Sequence, residues 1–308
     1  MKAIAINAAG AQPQPTELSD PAPGAGQVLV RTQASSVNAL DGGIAAGMFE
    51  QMGMPHRYPV ILGHDVAGTV EALGDGVTAF AVGDRVFGEM PFVPPISAGT
   101  WAELAVLDQD NLARIPDGVD TATAGAATLA AVTAIQLVDA LDLHKGETVL
   151  VVGATGGVGS IVAQLASAAG ATVLAPGLPE DDQFLRGLGV AEVLPRGEDV
   201  VGAVRERYPD GVEAIVDAVT AYQLTAYEAA LAGNGRVASP TNAAGEGPGR
   251  TNIMHSPTSD QLTRVAEHLA DGTITIAVQQ TYELAQAAEA LQAFAGGHTV
   301  GKIAIRVA

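Results

Sequence analysis

The residues with the clearest chemical meaning form a run of small side chains, Val151-Val152-Gly153-Ala154-Thr155-Gly156-Gly157-Val158-Gly159-Ser160. Glycines recur in it at the spacing of a G-x-G-x-x-G turn. Ala154 stands at the first position of that pattern, and Gly156 and Gly159 at the second and third. A glycine at the second position lets main-chain amides approach a pyrophosphate, and one at the third lets the following helix pack against its strand. The N-terminus of such a helix adds free N–H groups and partial positive charge. In isolation the pattern also describes an ordinary tight turn, so its context decides. Here an apolar strand, Thr148-Val149-Leu150-Val151-Val152, precedes it and a helical stretch from Ser160 to Ala169 follows. That setting makes Ala154, Thr155, Gly156, Gly157, Val158 and Gly159 candidate ligands of a dinucleotide.

Sites for NAD usually carry a carboxylate at the end of the second strand, where it binds the ribose hydroxyls. The corresponding residues, Ala175-Pro176-Gly177, offer none. This favours NADP(H), whose additional phosphate a carboxylate would repel. Glu180, Asp181 and Asp182 read as the acidic first turn of a helix opened by Pro179. Arg186 is a candidate for the phosphate, with a surface or packing role as the alternative.

Composition removes several other chemistries. The chain contains no cysteine, which excludes disulfides, thiol nucleophiles, iron–sulfur clusters and thiolate zinc sites. A formal net charge of −19 would repel a polyphosphate backbone, so no nucleic-acid partner is expected. No apolar run approaches the roughly 18 residues of a membrane span. Met1-Lys2-Ala3-Ile4-Ala5-Ile6 reads as a first β-strand rather than a secretion signal. The expectation is a cytoplasmic protein without membrane contact.

These residues need elements to hold them. The 308 residues, 48% hydrophobic and 16% charged, suffice for two domains with a sizeable core. Up to about Gly118 the chain reads as short strands separated by turns, among them Gln27 to Thr32, Val66 to Leu73, Arg85 to Phe87 and Ala102 to Val106. Beyond Pro116-Asp117-Gly118 the pattern changes to alternating helices and apolar strands: a helix from Ala122 to Leu141, then strands at Thr148–Val152, Ala171 to Ala175, Glu192 to Leu194, Ala214 to Asp217 and Arg236 to Ser239. This alternation indicates a doubly wound parallel sheet. Ala218, Val219 and Thr220, and Ser239, Pro240 and Thr241, lie at the carboxyl ends of its strands, where such folds bind ligands. A helix at about Ser259 to Leu269, a strand at Thr275 to Val278, a helix from Leu284 to Phe294 and a strand at Ile303 to Val307 complete the chain.

Six blocks, in order around the glycine turn, resemble the zinc-independent quinone oxidoreductase branch of the medium-chain dehydrogenase/reductase superfamily. Ser36-Val37-Asn38-Ala39-Leu40-Asp41 is similar to S-x-N-P-x-D, with Ala39 replacing proline. Pro59 to Val70 resembles P-x-x-x-G-x-D-x-A-G-x-V, Val82 to Phe87 resembles V-G-D-x-V, and Gly99 to Glu103 resembles G-x-x-A-E. Thr128 to Ala134 resembles a helix whose threonine, here Thr133, approaches the nicotinamide. His298 to Ile303 is close to a terminal H-x-x-G-K-[IV], which adds Gly301 and Lys302 to the cofactor set. The resemblance implies an α/β fold with a Rossmann-type doubly wound parallel sheet and a β-rich GroES-like catalytic domain. The split domain would comprise residues 1–119 and 266–308, and the dinucleotide domain residues 120–265, with the active-site cleft between them. It also implies NADPH-dependent reduction of quinones or α,β-unsaturated carbonyl compounds, often by a homodimer.

The same resemblance argues against zinc. Asn38 stands where zinc alcohol dehydrogenases place a cysteine, and Leu40 where they place a relay hydroxyl. Residues 89–99 are too few for a four-cysteine lobe. His64 is the one tempting ligand, and a catalytic zinc needs about three. The catalytic candidates are Asn38, expected either to position the carboxamide or substrate oxygen or to order its loop, Phe49, where relatives often carry a tyrosine beside the nicotinamide, and His64, expected to line the cleft or hydrogen-bond within its domain. Asp41 is expected to bond nearby backbone, and Asp65 to serve the scaffold with Arg85. Met52, Met54, His56 and Tyr58 belong to a loop that shapes the pocket or packs, and His255 is either a cleft or a packing residue. Without a metal to polarise an isolated carbonyl, conjugated substrates are the easier ones, because added hydride leaves its charge delocalised onto oxygen. Two alternatives stand beside this reading: a natural-product tailoring enzyme of the same family, and a non-catalytic dinucleotide-binding protein.

Overall fold

The computed structural model describes residues 1–197 and 199–307. They form two compact units, one of Met1–Leu129, Ser256–Asp271 and the chain from Ile276 onward, the other of Ala130–His255 and Gly272–Thr275. These divisions fall at 129/130 and 255/256, where the sequence suggests 119/120 and 265/266. The helix Ser259–Asp271 accounts for the second difference, since the Ser259 hydroxyl donates to the Asp110 carbonyl at 3.1 Å within the first unit. Among the described residues no helix is long and apolar enough to cross a membrane.

The second unit is built on the apolar strand Thr148–Val152, buried at every position. Its Val and Thr side chains favour extended backbone and pack well on a pleated surface. Six parallel strands lie in the order Val190–Pro195, Thr172–Gly177, Thr148–Val152, Val212–Asp217, Leu231–Ser239 and Arg250–Asn252. Numbered along the unit's own chain, that order is 3-2-1-4-5-6, the dinucleotide-binding arrangement, with its reversal beside the first strand. The glycine turn leaves the carboxyl end of that strand and opens the helix Gly157–Ala168. The short edge strand Arg250–Asn252 has no hydrophobic pattern of its own; it forms because Val237 N–H bonds the Gly249 carbonyl and brings the chain back alongside.

In the first unit a seven-stranded sheet carries the site residues. Its path runs Val278–Glu283, Lys302–Arg306, Gln27–Ser36, Asp65–Leu73, Arg85–Glu89 and Leu112–Arg114, with Leu104–Asp108 also on Gln27–Ser36. Lys302–Arg306 pairs parallel with Val278–Glu283 and antiparallel with Gln27–Ser36. A residue far along the chain is thereby set beside Ser36 and Asn38. The strand expected at Thr275 to Val278 instead begins at Val278. Thr275 is drawn off by Gln164, whose Oε1 accepts its N–H at 2.8 Å and its hydroxyl at 3.0 Å.

A smaller sheet, Gln14–Glu17, Lys2–Ile6 and Val60–Ile61, covers a core of Ile4, Ile6, Ile44, Leu62 and Trp101. Trp101 is the chain's one tryptophan. It is fully buried, and its indole N–H donates to the Ser36 carbonyl at 3.1 Å. Replacing it by alanine removes the largest side chain of this core and is expected to cost about 3–5 kcal/mol. A lower denaturation midpoint by far-ultraviolet circular dichroism checks this; an unchanged midpoint would show that the cluster does not hold the unit together.

Candidate functional site

Gly153 begins the turn with φ +88°, a conformation that favours glycine, and an added Cβ would stand 2.6 Å from Val219 Cγ2. Gly156 donates to the Gly153 carbonyl at 3.0 Å and caps the helix, and Ser160 N–H returns to the Gly156 carbonyl at 2.9 Å. A Cβ on Gly159 would sit 2.2 Å from that same Gly153 oxygen, so this glycine is required for the helix to pack. A Cβ on Gly156 would meet nothing nearer than 3.5 Å. Gly153 and Gly159 therefore serve the fold, while Gly156 faces open space above the helix N-terminus. The first N–H groups there have no intrahelical acceptor. Gly156, Gly157 and Val158 are half-buried at that mouth, whereas Ala154 and Thr155 point inward.

A second ledge follows the neighbouring strands. Ala218 N–H donates to the Val152 carbonyl at 3.1 Å. Asp217, which sequence reasoning missed, is fully buried and accepts from Val219 N–H at 3.0 Å and Thr220 N–H at 2.9 Å. The Thr241 hydroxyl bonds the Thr220 carbonyl at 2.5 Å, and Ser239 Oγ accepts from Thr241 and Ala243 N–H. Residues 217–220 and 239–241, Pro240 among them, are thus tied into one rim. Thr133 Oγ1 lies 2.9 Å from His255 Nδ1, joining two candidates that the sequence left apart.

At the end of the strand Thr172–Gly177 the acidic run is already engaged. Asp181 is buried and accepts Leu178 N–H at 2.9 Å, and Asp182 pairs with Arg186 at 2.9 Å. Arg186 is thus paired with Asp182 one helical turn away, on the surface. Arg196, which the sequence did not single out, reaches this strand end: its N–H bonds the Gly177 carbonyl at 3.0 Å and it is exposed.

In the first unit several polar residues converge on Asp65, fully buried at the start of its strand. The carboxylate accepts from Leu129 N–H at 2.7 Å, from Asn38 Nδ2 at 2.8 Å and from the Ser36 hydroxyl, and Lys302 Nζ lies 3.5 Å away. Burial alone would raise this carboxyl. The Lys302 charge, with donors from Asn38, Leu129 and Ser36, outweighs it and holds the group below the usual carboxylate range. Arg85, expected beside Asp65, instead donates to the Val119 carbonyl at 2.8 Å. Lys302, expected in the cofactor set, turns its ammonium onto Asn38 Oδ1 and the Val37 carbonyl. With Lys302 on its oxygen and Asp65 on its nitrogen, the Asn38 amide is occupied at both ends. Gly301 has φ +83°, and a Cβ there would lie 2.2 Å from the Ala277 carbonyl; its role is close backbone approach.

Asp41 does bond nearby backbone, accepting from Asn38 N–H at 2.8 Å and Gly63 N–H at 3.1 Å. It also holds His64, whose Nδ1 lies 2.8 Å from Asp41 Oδ1. Phe49 packs edge-on against Phe92 at 4.7 Å, and Phe92 lies 6.2 Å from the imidazole. In the adjoining loop His56 stacks on Tyr58, whose hydroxyl donates to Glu50, while Met54 packs on the core and Met52 is exposed. Among the described residues no three or more His, Cys, Asp or Glu side chains are grouped as a metal site.

A doubly wound sheet with a glycine turn at its order reversal, in one chain with a β-rich unit, is the architecture of a dinucleotide-binding protein. Residues 24–117 match the alcohol dehydrogenase GroES-like domain, and residues 188–305 the family described as zinc-binding dehydrogenase. A chloroplast envelope quinone oxidoreductase homolog of Arabidopsis thaliana is 28% identical, over 92% of this chain and 91% of its own. Erythronolide synthase EryA2 of Saccharopolyspora erythraea is 32% identical over 91% of this chain, which spans only 8% of that synthase. The solved structure of mycobacterial Rv1454c complexed with NADPH is 30% identical, covers 100% of both chains and superposes with a TM-score of 0.83. The chain belongs to the medium-chain dehydrogenase/reductase superfamily, in its quinone oxidoreductase-like branch.

The Asp65 network has a measurable consequence. Because folding lowers this carboxyl, the stability it supplies is present above the unfolded value of about 3.9 and is lost as pH falls through the lower folded value. Lys302→Met strands the buried charge and is expected to cost about 3–5 kcal/mol. Acid unfolding of the variant, followed by circular dichroism, should begin at a higher pH than in the parent protein.

Proposed function

We propose that this protein is an NADPH-dependent, zinc-independent reductase of quinones or α,β-unsaturated carbonyl compounds. The observation that carries the reading is the cradle at Gly156, where main-chain amides and the positive helix end face space that only a missing side chain leaves open. Gly156, Gly157 and Val158 would hold the pyrophosphate. Thr220 and Thr241 would border the ribose and nicotinamide portion along their rim. The lack of a carboxylate at 175–177, with Asp181 and Asp182 engaged elsewhere, suits a phosphorylated ribose. The main-chain N–H of Arg196 ties that residue to the same strand end, and a guanidinium matches phosphate in both charge and geometry. When bound, the reduced nicotinamide supplies a hydride. The protein's share is to orient the acceptor and to stabilise the charge that develops on its oxygen. The NADPH complex of the mycobacterial relative and the quinone oxidoreductase name of the plant relative support the same reading.

A tailoring role in natural-product assembly is the second reading, favoured by the likeness of nearly the whole chain to a small portion of a polyketide-type synthase. Turnover of acyl thioesters but not of free quinones or enones would select it.

Purified protein is expected to oxidise NADPH in the presence of p-benzoquinone or 2-cyclohexen-1-one, with activity unchanged after dialysis against a chelator. Gly156→Val should retain the circular dichroism spectrum and weaken NADPH binding about tenfold or more, measured by calorimetry. Gly159→Val should fail to fold. Arg196→Ala should weaken NADPH and leave NADH affinity unchanged. Undiminished NADPH affinity in Gly156→Val would overturn the assignment.

A further inference from the structure

We propose that His64, oriented by Asp41, is the proton donor of the reaction, acting on a single-ring quinone or enone seated in a small pocket of the first unit. The inference deepens the reductase reading and rests on it. The pocket holds about 170 Å³ and is lined by His64, Met90, Phe92, Pro95, Ile96 and Ser97. Its wall is mainly apolar. An apolar cavity of about 150 Å³ is enough to take up benzene, so this one accommodates one six-membered ring. A fused polycyclic acceptor would project past its mouth.

The imidazole is the only ionisable group on that wall. Asp41 lies in the helix Ala39–Ala45, fully buried, and its carboxylate is fixed by two main-chain N–H groups before it meets His64. A carboxylate accepts but does not donate, so the 2.8 Å contact assigns a proton to Nδ1. Met90 N–H bonds the His64 carbonyl at 2.7 Å and anchors its backbone. With Nδ1 committed, Nε2 is the ring nitrogen left for the pocket, and no partner for it is found among the described residues. The other polar groups nearby are spent on one another: Asn38 lies between Lys302 and Asp65, and Asp65 receives Ser36 and Leu129.

Anchoring the backbone does not require a histidine. Asp41 already satisfies Gly63 and Asn38 N–H, and an amide side chain would meet its remaining lone pair equally well. The imidazole adds a second, transferable proton at the far side of the ring. When bound, the reduced nicotinamide would supply a hydride to the electrophilic carbon of the acceptor, forming a C–H bond there. The π electrons displaced by it collect on the carbonyl oxygen, and protonated Nε2 delivers its proton there. The imidazole is left neutral, with Nδ1–H still on Asp41, and regains its proton from water. The sum is NADPH, one proton and the enone giving NADP⁺ and the enol, which becomes the saturated ketone in solution. A quinone gives the hydroquinone with the same count.

His64→Asn keeps a donor where Nδ1 stands and removes Nε2, so the bond to Asp41 survives. With p-benzoquinone or 2-cyclohexen-1-one, kcat is expected to fall about 10²–10⁴-fold, the usual share of a general acid. NADPH affinity and circular dichroism should be unchanged, and added imidazole should restore part of the rate. Independently of turnover, saturating 2-cyclohexen-1-one without nucleotide should shift the Nε2 resonance of His64 in ¹⁵N-histidine-labelled protein. A wild-type enzyme that reduces these acceptors, with His64→Asn equally fast, would overturn the proton-donor role and leave the reductase reading standing. A wild-type enzyme inert toward every quinone and enone would remove both. An unmoved Nε2 resonance would remove the pocket assignment alone.

Discussion

Asp65 carries a negative charge with no exposed surface, and such a charge persists only where opposite charge and hydrogen-bond donors surround it. The donors come from widely separated parts of the chain: Ser36 and Asn38 at the end of one strand, Leu129 a further 64 residues on from Asp65 itself, and Lys302 from the strand beside Ser36. Each is drawn to the same oxygens, so the carboxylate fixes how the connection after Ser36 leaves the sheet. That connection holds Asp41, and Asp41 holds both the Gly63 loop and the imidazole of His64. The geometry of the candidate acid is thus set two contacts away from the acid.

The glycine turn of the second unit divides its labour among residues that look alike in sequence. At Gly153 and Gly159 a side chain would collide with atoms of the protein, whereas at Gly156 a Cβ would make only ordinary contact, 3.5 Å from the Gly153 carbonyl oxygen. A turn built for packing alone would not need the middle glycine. Its freedom supports the proposed pyrophosphate cradle, and the bonds of Asp217 to residues 219 and 220 hold the adjacent ledge firm.

Much of this was legible in the sequence because it follows from periodicity and local turn chemistry. Continuous apolar strands and the glycine spacing identify the parallel sheet, and the ordered family blocks identify the β-rich unit. What escaped was set by long-range pairing. Lys302 was expected in the cofactor set, since nothing local shows that its strand inserts next to Ser36 and carries the ammonium onto Asn38. Arg85 was expected to serve the scaffold with Asp65; their strands do pair, yet the two side chains bond elsewhere. Asp217 and Arg196 stood in unremarkable stretches, and only the alignment of strand ends reveals them. The strand expected at Thr275 moved because one glutamine side chain captured that residue first.

The placement of Lys302–Arg306 inside the first sheet bears on how the chain matures. Every strand of the parallel sheet has been made once residue 252 leaves the ribosome, so that sheet can form while synthesis continues. The β-rich unit cannot. Until residues 302–306 emerge, the end of that strand at Ala34–Ser36 lacks a partner on one side and Asp65 lacks its counter-ion. The half of the molecule translated first is therefore the half that completes its fold later, and exposed strand edges of this kind are what chaperones protect during the interval.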